Sequence, residues 1–600
     1  MRRVHEMPFG ATFAQEGTRF GLWAPAAPRV GLVLGRDAAR EIPMRSEGDG
    51  WHSVSVEGLA PGTAYAYRVD DGDPVPDPAS RSQPWDAKGP SAIVDPRGFE
   101  WSDEAWRGRP WHEAVVYELH LGTLTPAGTY RAAIEKLDHV ARLGATAIEL
   151  MPLAEFAGAR GWGYDGVLPF APESAYGPPE DLKRLVQEAH ARGLMVLLDV
   201  VYNHFGPEGN HLSRYAPQFF NPAHQTPWGA AINFDGERSR VVRDFFLHNA
   251  LYWVEEYHLD GLRMDAIHAI ADDSQPHIVA EIAAVLAAGP GTRGHVHLVL
   301  ENDRNEAGLL RGERGATAQW NDDWHHAAHV IATGERDGYY AEYAPHPVGH
   351  LGRALAEGFA WQGEASPHRK GASRGERSAH LPPTAFMPFL QNHDQIGNRA
   401  LGERIGSLAR PRALRLVIAT QLLSPAVPLL FMGEEFAASS PFLYFCDFEG
   451  ELARAVREGR RREFAAFARF EDARERERIP DPNAPETFQR SKLDWSEVVH
   501  GEHAERLALY WKLLGIRERS LVPHLAHEGT AAGRFETRGE GGLMVDWTLG
   551  DGVRLHLRAN FADERAPIAA APGTTLHVEG AGHGAADLAP WSGAWTLEAP

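Results

Sequence analysis

Between Val115 and Met432 the chain alternates eight times between a short apolar run and a longer helical or irregular segment. The runs are VVYELHL (115–121), TAIELM (146–151), LMVLLDVV (194–201), LDGLRMDA (259–266), HVHLVLE (295–301), ATAQW (316–320), TAFMPFLQ (384–391) and VPLLFM (427–432). Near-continuous apolar character marks strands buried on both faces, and parallel strands need crossovers long enough to carry a helix. Leu182, Leu185, Val186 and Ala189 follow helical spacing, with Gly193 placed to end that helix. Ile134, Leu137, Val140 and Ala141 form a similar stripe before Gly144, and Leu507, Tyr510, Trp511 and Leu514 repeat it after the last run. Eight such units in a row predict a (β/α)8 TIM barrel. The alternative, an open doubly wound sheet, lacks the early GxGxxG that would support a dinucleotide site.

The flanks read differently. FGLWAPAAPRVGLVL, GWHSVSV and AYAYRV are short strands, and the Pro-rich stretch 74–90 suits a linker or wrapping segment. After residue 520, GLMVDWTL, GVRLHLRANF, TTLHVEG and AWTLEAP return to strands with glycine turns. The expected α/β organisation is an N-terminal β-sandwich over 1–100, a catalytic barrel over 101–520 and a small C-terminal all-β domain over 521–600. The N-terminal strands leave two readings open, a plain sandwich or a carbohydrate-contacting module. The charged stretch 471–485 reads as a solvated loop or short helix.

Composition narrows the partners. A net charge of −21 argues against nucleic acid. A single cysteine, Cys446, excludes an intramolecular disulfide framework and a cysteine-based zinc cluster. The longest apolar run, Leu414 to Met432, is interrupted by Arg415, Gln421, Pro425 and Pro428, so it reads as a buried helix, a turn and a strand. With no apolar h-region near Met1, no secretory signal is expected, and a soluble, cytoplasmic protein without membrane contact is.

Four of the runs end in or beside ionisable groups: Asp199 near the end of the third and His204 just after it, Arg263 and Asp265 in the fourth and His268 just after it, Glu301 at the end of the fifth, His393 and Asp394 after the seventh. Strand C-termini of one barrel converge on one mouth, so these groups should share a cleft. Carboxylates with histidines suit either a divalent metal or glycoside hydrolysis. Arg263, two residues before Asp265 and on the same strand face, repels a metal and favours an ionised carboxylate. An ionised Asp265 suits attack on an anomeric carbon, with Glu301 as a proton donor whose pKa nearby carboxylates raise. Trp320, Asn321, Asp322 and Trp324 cluster at the sixth strand's end, and Trp228 lies in the insertion after the third. They are candidates for reading the leaving group. Glu434 and Glu435 after the eighth strand could also face the cleft.

The segments DVVYNH, GLRMDAIH, the glutamate ending LVLE, and FLQNHD resemble, in order and spacing, the four short regions of the α-amylase superfamily, glycoside hydrolase family 13. The similarity spans roughly Val115 to Arg519, and the N-terminal strands resemble the sandwich of branching and debranching members. GWGYDGV (161–167), DVVYNHFGPEGN (199–210), LENDRN (300–305) and FLQNHDQIGNRALGERI (389–405) point to the branch acting on maltooligosaccharides capped by trehalose. The resemblance implies Asp265 as nucleophile, Glu301 as acid/base and Asp394 as transition-state stabiliser. It implies Arg263 orienting Asp265, Asp199 supporting the site, His204 and His393 on sugar hydroxyls, and Tyr164 as the stacking platform. Retention would set the Asp265 and Glu301 carboxyls ~5–5.5 Å apart. The implied substrate is maltooligosyltrehalose or another α-glucan oligosaccharide, and the implied pathway partner is maltooligosyltrehalose synthase. No cofactor or metal is expected: Asn203 matches a calcium ligand of some amylases, but the rest of that set is not traceable. A branching or debranching enzyme is the alternative, although branching enzymes usually carry serine where this chain has Asn392.

Overall fold

The computed structural model describes residues 2–226, 228–310, 315–464, 472–526, 529–530, 532–582 and 586–600. Each of the eight expected runs contains one strand of a single parallel sheet: Val116–Leu119, Ala147–Leu150, Met195–Val200, Gly261–Met264, His297–Leu300, Ala318–Trp320, Phe386–Met387 and Leu429–Phe431. The eighth strand pairs with the first, and a parallel bridge between Phe389 and Leu429 closes the circle into a barrel. Strand alternation sends Val116, Ala147, Leu197, Val299, Ala318, Met387 and Leu429 into the interior, where they form one apolar cluster. Two residues further along the same faces come Glu118, Glu149 and Asp199, with Arg263 in register beside Asp199, so the apolar floor carries a charged layer toward the C-terminal mouth.

The helices follow their sequence signals with one break. Pro179–His190 starts on proline, carries Glu180 and Asp181 in its first turn and buries Leu182, Leu185, Val186 and Ala189. The stripe from Ile134 to Ala141 divides into Tyr130–Ile134 and Leu137–Leu143. Glu135 and Lys136 bond back three residues, to Ala132 and Ala133, and this tighter turn interrupts the ladder. Gly144, at φ 102°, ends the second piece in the left-handed conformation. Leu414–Met432 resolves into the helix Pro411–Leu422 and the eighth strand. Among the described residues no helix is long and apolar enough to cross a membrane.

The N-terminal region is a sandwich of two four-stranded antiparallel sheets. Stretch 74–90 wraps from it to the barrel: Asp77 accepts from Tyr65 within the sandwich, while Asp86 accepts from the amide of Gly158 in a barrel loop. The C-terminal region is a five-stranded antiparallel sheet, Arg534–Arg538 to Ser592–Glu598, whose Trp547 indole donates to the Leu355 carbonyl of a barrel-side helix. In the 471–485 stretch, Ala473–Glu477 forms a short helix, and Glu471 lies outside the described residues. Long insertions follow strands three and six. The first contains the hairpin Phe220–Thr226/Gly229–Ile232, the second the helices Asp322–Thr333 and Pro347–Glu357.

Candidate active site

Arg263 is fully buried and organises the mouth of the barrel. Its Nη1 donates to Asp265 Oδ1 at 3.0 Å and to Asp199, and its Nη2 donates to Glu301 Oε2 at 2.6 Å. One planar fork thus grips a carboxylate on each terminal nitrogen, which fixes their separation and orientation together. Asp265 Oδ2 takes a second donor, Asn203 Nδ2 at 2.8 Å, and Glu301 Oε2 takes the amide of Ala266 at 2.8 Å. The Tyr164 hydroxyl donates to Asp199, and its ring stacks on His393 with centroids 5.0 Å apart. His393 Nδ1 pairs with Glu118, while its Nε2 lies 3.5 Å from Asp394 Oδ1. His204 Nε2 lies 3.1 Å from the Tyr164 carbonyl oxygen, and its ring stacks on the exposed Trp228 at 5.1 Å. His268 stands at the rim, its Nδ1 3.7 Å from Asp303.

The backbone before Tyr164 is equally specific. Gly163 sits at φ 100°, and a Cβ there would lie 2.1 Å from the Pro152 carbonyl oxygen. Gly163→Ala is therefore expected to displace Tyr164 and lower kcat by about tenfold or more, checked by steady-state kinetics beside a melting curve.

Electrostatically the layer is crowded. Burial raises the Asp265 carboxyl above its ordinary range, Arg263 pulls it down, and Asp199 pushes it up again. This modifies the sequence expectation, in which the cation alone ruled. Burial likewise raises Glu301, with Arg263 opposing and Asp265 reinforcing, so desolvation does more than the neighbouring carboxylates. Burial lowers His393, yet Asp394 and Glu118 outweigh it and hold the imidazole up at about 9, as a cation. His204 is driven down to about 4 by burial and is neutral.

Beside Glu301 opens a cavity of about 230 Å³ lined by Asp303, Asp322, His326, Tyr339, Arg374 and Asp394, among others. Asp322 thus lines a cavity that Glu301 also lines. Trp324 does not: it is buried on the outer side of the barrel among Leu355, Leu381 and Phe386, because the helix Asp322–Thr333 turns that face to the core. Trp320 is corrected as well. Two residues after the inward Ala318, it lies inside the barrel with its ring 4.0 Å from the Arg263 guanidinium. Asn321 caps the helix by accepting from Trp324 N. Glu434 and Glu435 face other elements, bonding Tyr510 and Gln391, and Tyr117 and His139. Sequence reasoning missed Glu118 and gave Asn203 no role at Asp265. The alternation Val116–Glu118 carried the signal for the first. Among the described residues, His224, Asp235 and Asp273 bring ligand-type atoms within 4.8 Å of one another, in the strand-three insertion and just after strand four.

Comparison with known proteins agrees with this architecture. The profile of the alpha-amylase catalytic domain matches residues 68–226, that of carbohydrate-binding module 48 (isoamylase N-terminal domain) matches 8–86, and a domain of unknown function, DUF3459, matches 530–595. The chain is 40% identical to the malto-oligosyltrehalose trehalohydrolase of Deinococcus radiodurans, covering 94% of this chain and 92% of that one. It is 39% identical to the enzyme of that name from Saccharolobus solfataricus, covering 85% and 87%. A Salmonella typhimurium crystal structure described as an alpha amylase superposes with a TM-score of 0.93 at 46% identity, covering 98% of this chain and 99% of that one. A 1,4-alpha-glucan branching enzyme from Rhodococcus jostii is more distant, 28% identical over 73% of this chain.

Proposed function

The chain belongs to the malto-oligosyltrehalose trehalohydrolase family, and we propose that it hydrolyses, with retention, the α-1,4 bond next to the terminal trehalose of maltooligosyltrehalose. The products are trehalose and a shortened maltooligosaccharide. The observation that carries this reading is kinship along nearly the whole chain combined with an intact set of carboxylates at one barrel mouth.

Asp265 is the nucleophile. Arg263 and Asn203 hold its two oxygens, so one face of the carboxylate is aimed and rotation is blocked. Glu301, raised by burial, carries the proton that the leaving oxygen needs, then takes one from the incoming water. Asp394 and the cationic His393 grip hydroxyls of the distorted sugar, and Tyr164 supplies the apolar face against which it stacks. Asp199 supports Arg263 from below. Asp322 and His268 are the groups we assign to the trehalose side. The enzyme works in the cytoplasm, downstream of a maltooligosyltrehalose synthase that supplies its substrate.

Two outcomes follow. Both active carboxyls are held above their ordinary ranges, so kcat/KM against pH is a bell whose acid limb, protonation of Asp265, and alkaline limb, deprotonation of Glu301, both lie above free-carboxyl values. An acid limb at the pKa of a free aspartate would contradict this. His393 adds a second dependence. Its folded pKa of about 9 exceeds the ordinary value of 6.5, so its stabilising contribution is complete below that value and is lost as pH rises through about 9. Melting temperatures between neutral pH and about 10 read this loss, which His393→Asn abolishes.

The direct test compares maltotriosyl-trehalose with maltopentaose by chromatography. Free trehalose from the first and little cleavage of the second is the expected result. Equal cleavage of both, or new α-1,6 links, would move the chain to a general amylase or a branching enzyme.

A further inference from the structure

Glu149 is a buried carboxyl that the mechanism above does not use. It lies on the second barrel strand, two residues beyond the inward Ala147, and is 1% exposed. Neither of its oxygens has a hydrogen-bond partner among the described residues. Strand register sets Glu149 directly beside Glu118 on the first strand and Leu197 on the third, with Asp199 one pleat further toward the mouth. The charged and titratable groups facing it are Glu118, Arg263, Asp199 and His393.

The neighbours' bonds decide its state. Glu118 already accepts from His393 on both oxygens, ring and backbone. Asp199 accepts from Arg263 and Tyr164 on Oδ2, while its Oδ1 is buried with no partner among the described residues. Arg263 Nη1 and Nη2 are committed to Asp199, Asp265 and Glu301, while its Nε is buried and bonds neither Glu149 nor any other acceptor among the described residues. Arg263 and His393 attract an ionised Glu149 from a distance, but it would face Glu118 and Asp199 with no donor bonded to either oxygen, which a buried position does not tolerate. A neutral carboxylic acid carries an O–H that can donate to the partnerless acceptor, Asp199 Oδ1.

We propose that Glu149 is a protonated carboxylic acid that donates to Asp199 Oδ1 and so acts as a positioning residue for Arg263 and, through it, for Asp265 and Glu301. Burial, reinforced by Glu118, holds the Glu149 carboxyl well above its ordinary range, in agreement. The inference rests on the hydrolase reading only for its kinetic readout.

The test uses the full-length enzyme with Glu149→Gln and Glu149→Leu. An amide donates where the O–H did, so Glu149→Gln keeps kcat within about twofold and the pH profile unchanged. Glu149→Leu fills the space without donating. It is expected to lower kcat by about 10- to 100-fold at nearly constant KM and to shift the acid limb set by Asp265. Infrared difference spectra of wild type minus Glu149→Gln at neutral pH should show the carbonyl band of a protonated carboxylic acid. Carboxylate bands in that difference would overturn the proposal. So would a Glu149→Gln variant as damaged as Glu149→Leu, or a Glu149→Leu variant with wild-type kinetics and profile. The infrared result decides the protonation state even if Glu149→Leu does not fold or the substrate assignment fails.

Discussion

Asp265→Asn is expected to lower kcat by about four to six orders of magnitude on every substrate the enzyme accepts, with oligosaccharide binding nearly intact. The replacement is almost isosteric, so the surrounding fold has no cavity to fill. What changes is chemistry. A neutral amide cannot form the glycosyl ester, and its NH2 group cannot accept from the donor that holds that position, whether Arg263 Nη1 or Asn203 Nδ2. Single-turnover kinetics and calorimetric titration with an oligosaccharide read the two effects separately. Residual kcat above about 1% of wild type would mean that the nucleophile lies elsewhere.

Arg263→Met is the second large effect, and it acts on stability as well as rate. The guanidinium is the shared counter-charge of Asp199, Asp265 and Glu301, and it lies over the Trp320 ring in the barrel. Removing it leaves three inward carboxylates to repel one another, and breaking buried pairs of this kind costs about 3–5 kcal/mol. The carboxyls respond by taking up protons, Asp265 among them, so kcat is expected to fall by about a thousandfold or more at neutral pH. Arg263→Lys restores charge but not the fork, because an ammonium cannot present two coplanar donors to two carboxylates. It should recover more stability than rate. Chemical denaturation and kcat on the three proteins check this, and an Arg263→Met variant as stable as wild type would contradict it.

Much of this site was legible in the chain because a parallel barrel writes its strands as uninterrupted apolar runs. A charge at the end of such a run can only be at the mouth. Asp265 and Glu301 were readable for that reason, and Asp199 and Arg263, inside their runs, through the segments DVVYNH and GLRMDAIH that contain them. Glu118 and Glu149 were not, because each lies inside its run, and only the pairing with Val116 and Ala147 two residues earlier reveals that they point inward. The same parity separates Trp320, which follows Ala318 into the barrel, from the cleft to which its chemistry seemed suited. Trp324 depended on the rotation of a helix that starts two residues earlier, and no local pattern states that rotation. The break at Glu135 and Lys136 was hidden because a single tight turn leaves the apolar stripe nearly in phase.

On the proposed mechanism, one double displacement releases trehalose from the capped end. Proton NMR of maltotriosyl-trehalose in the first minutes of digestion reads both parts at once, the bond broken and the anomer formed. Free trehalose is expected together with maltotriose whose new reducing end is initially α. A β anomer first, or glucose and maltose released ahead of trehalose, would contradict it.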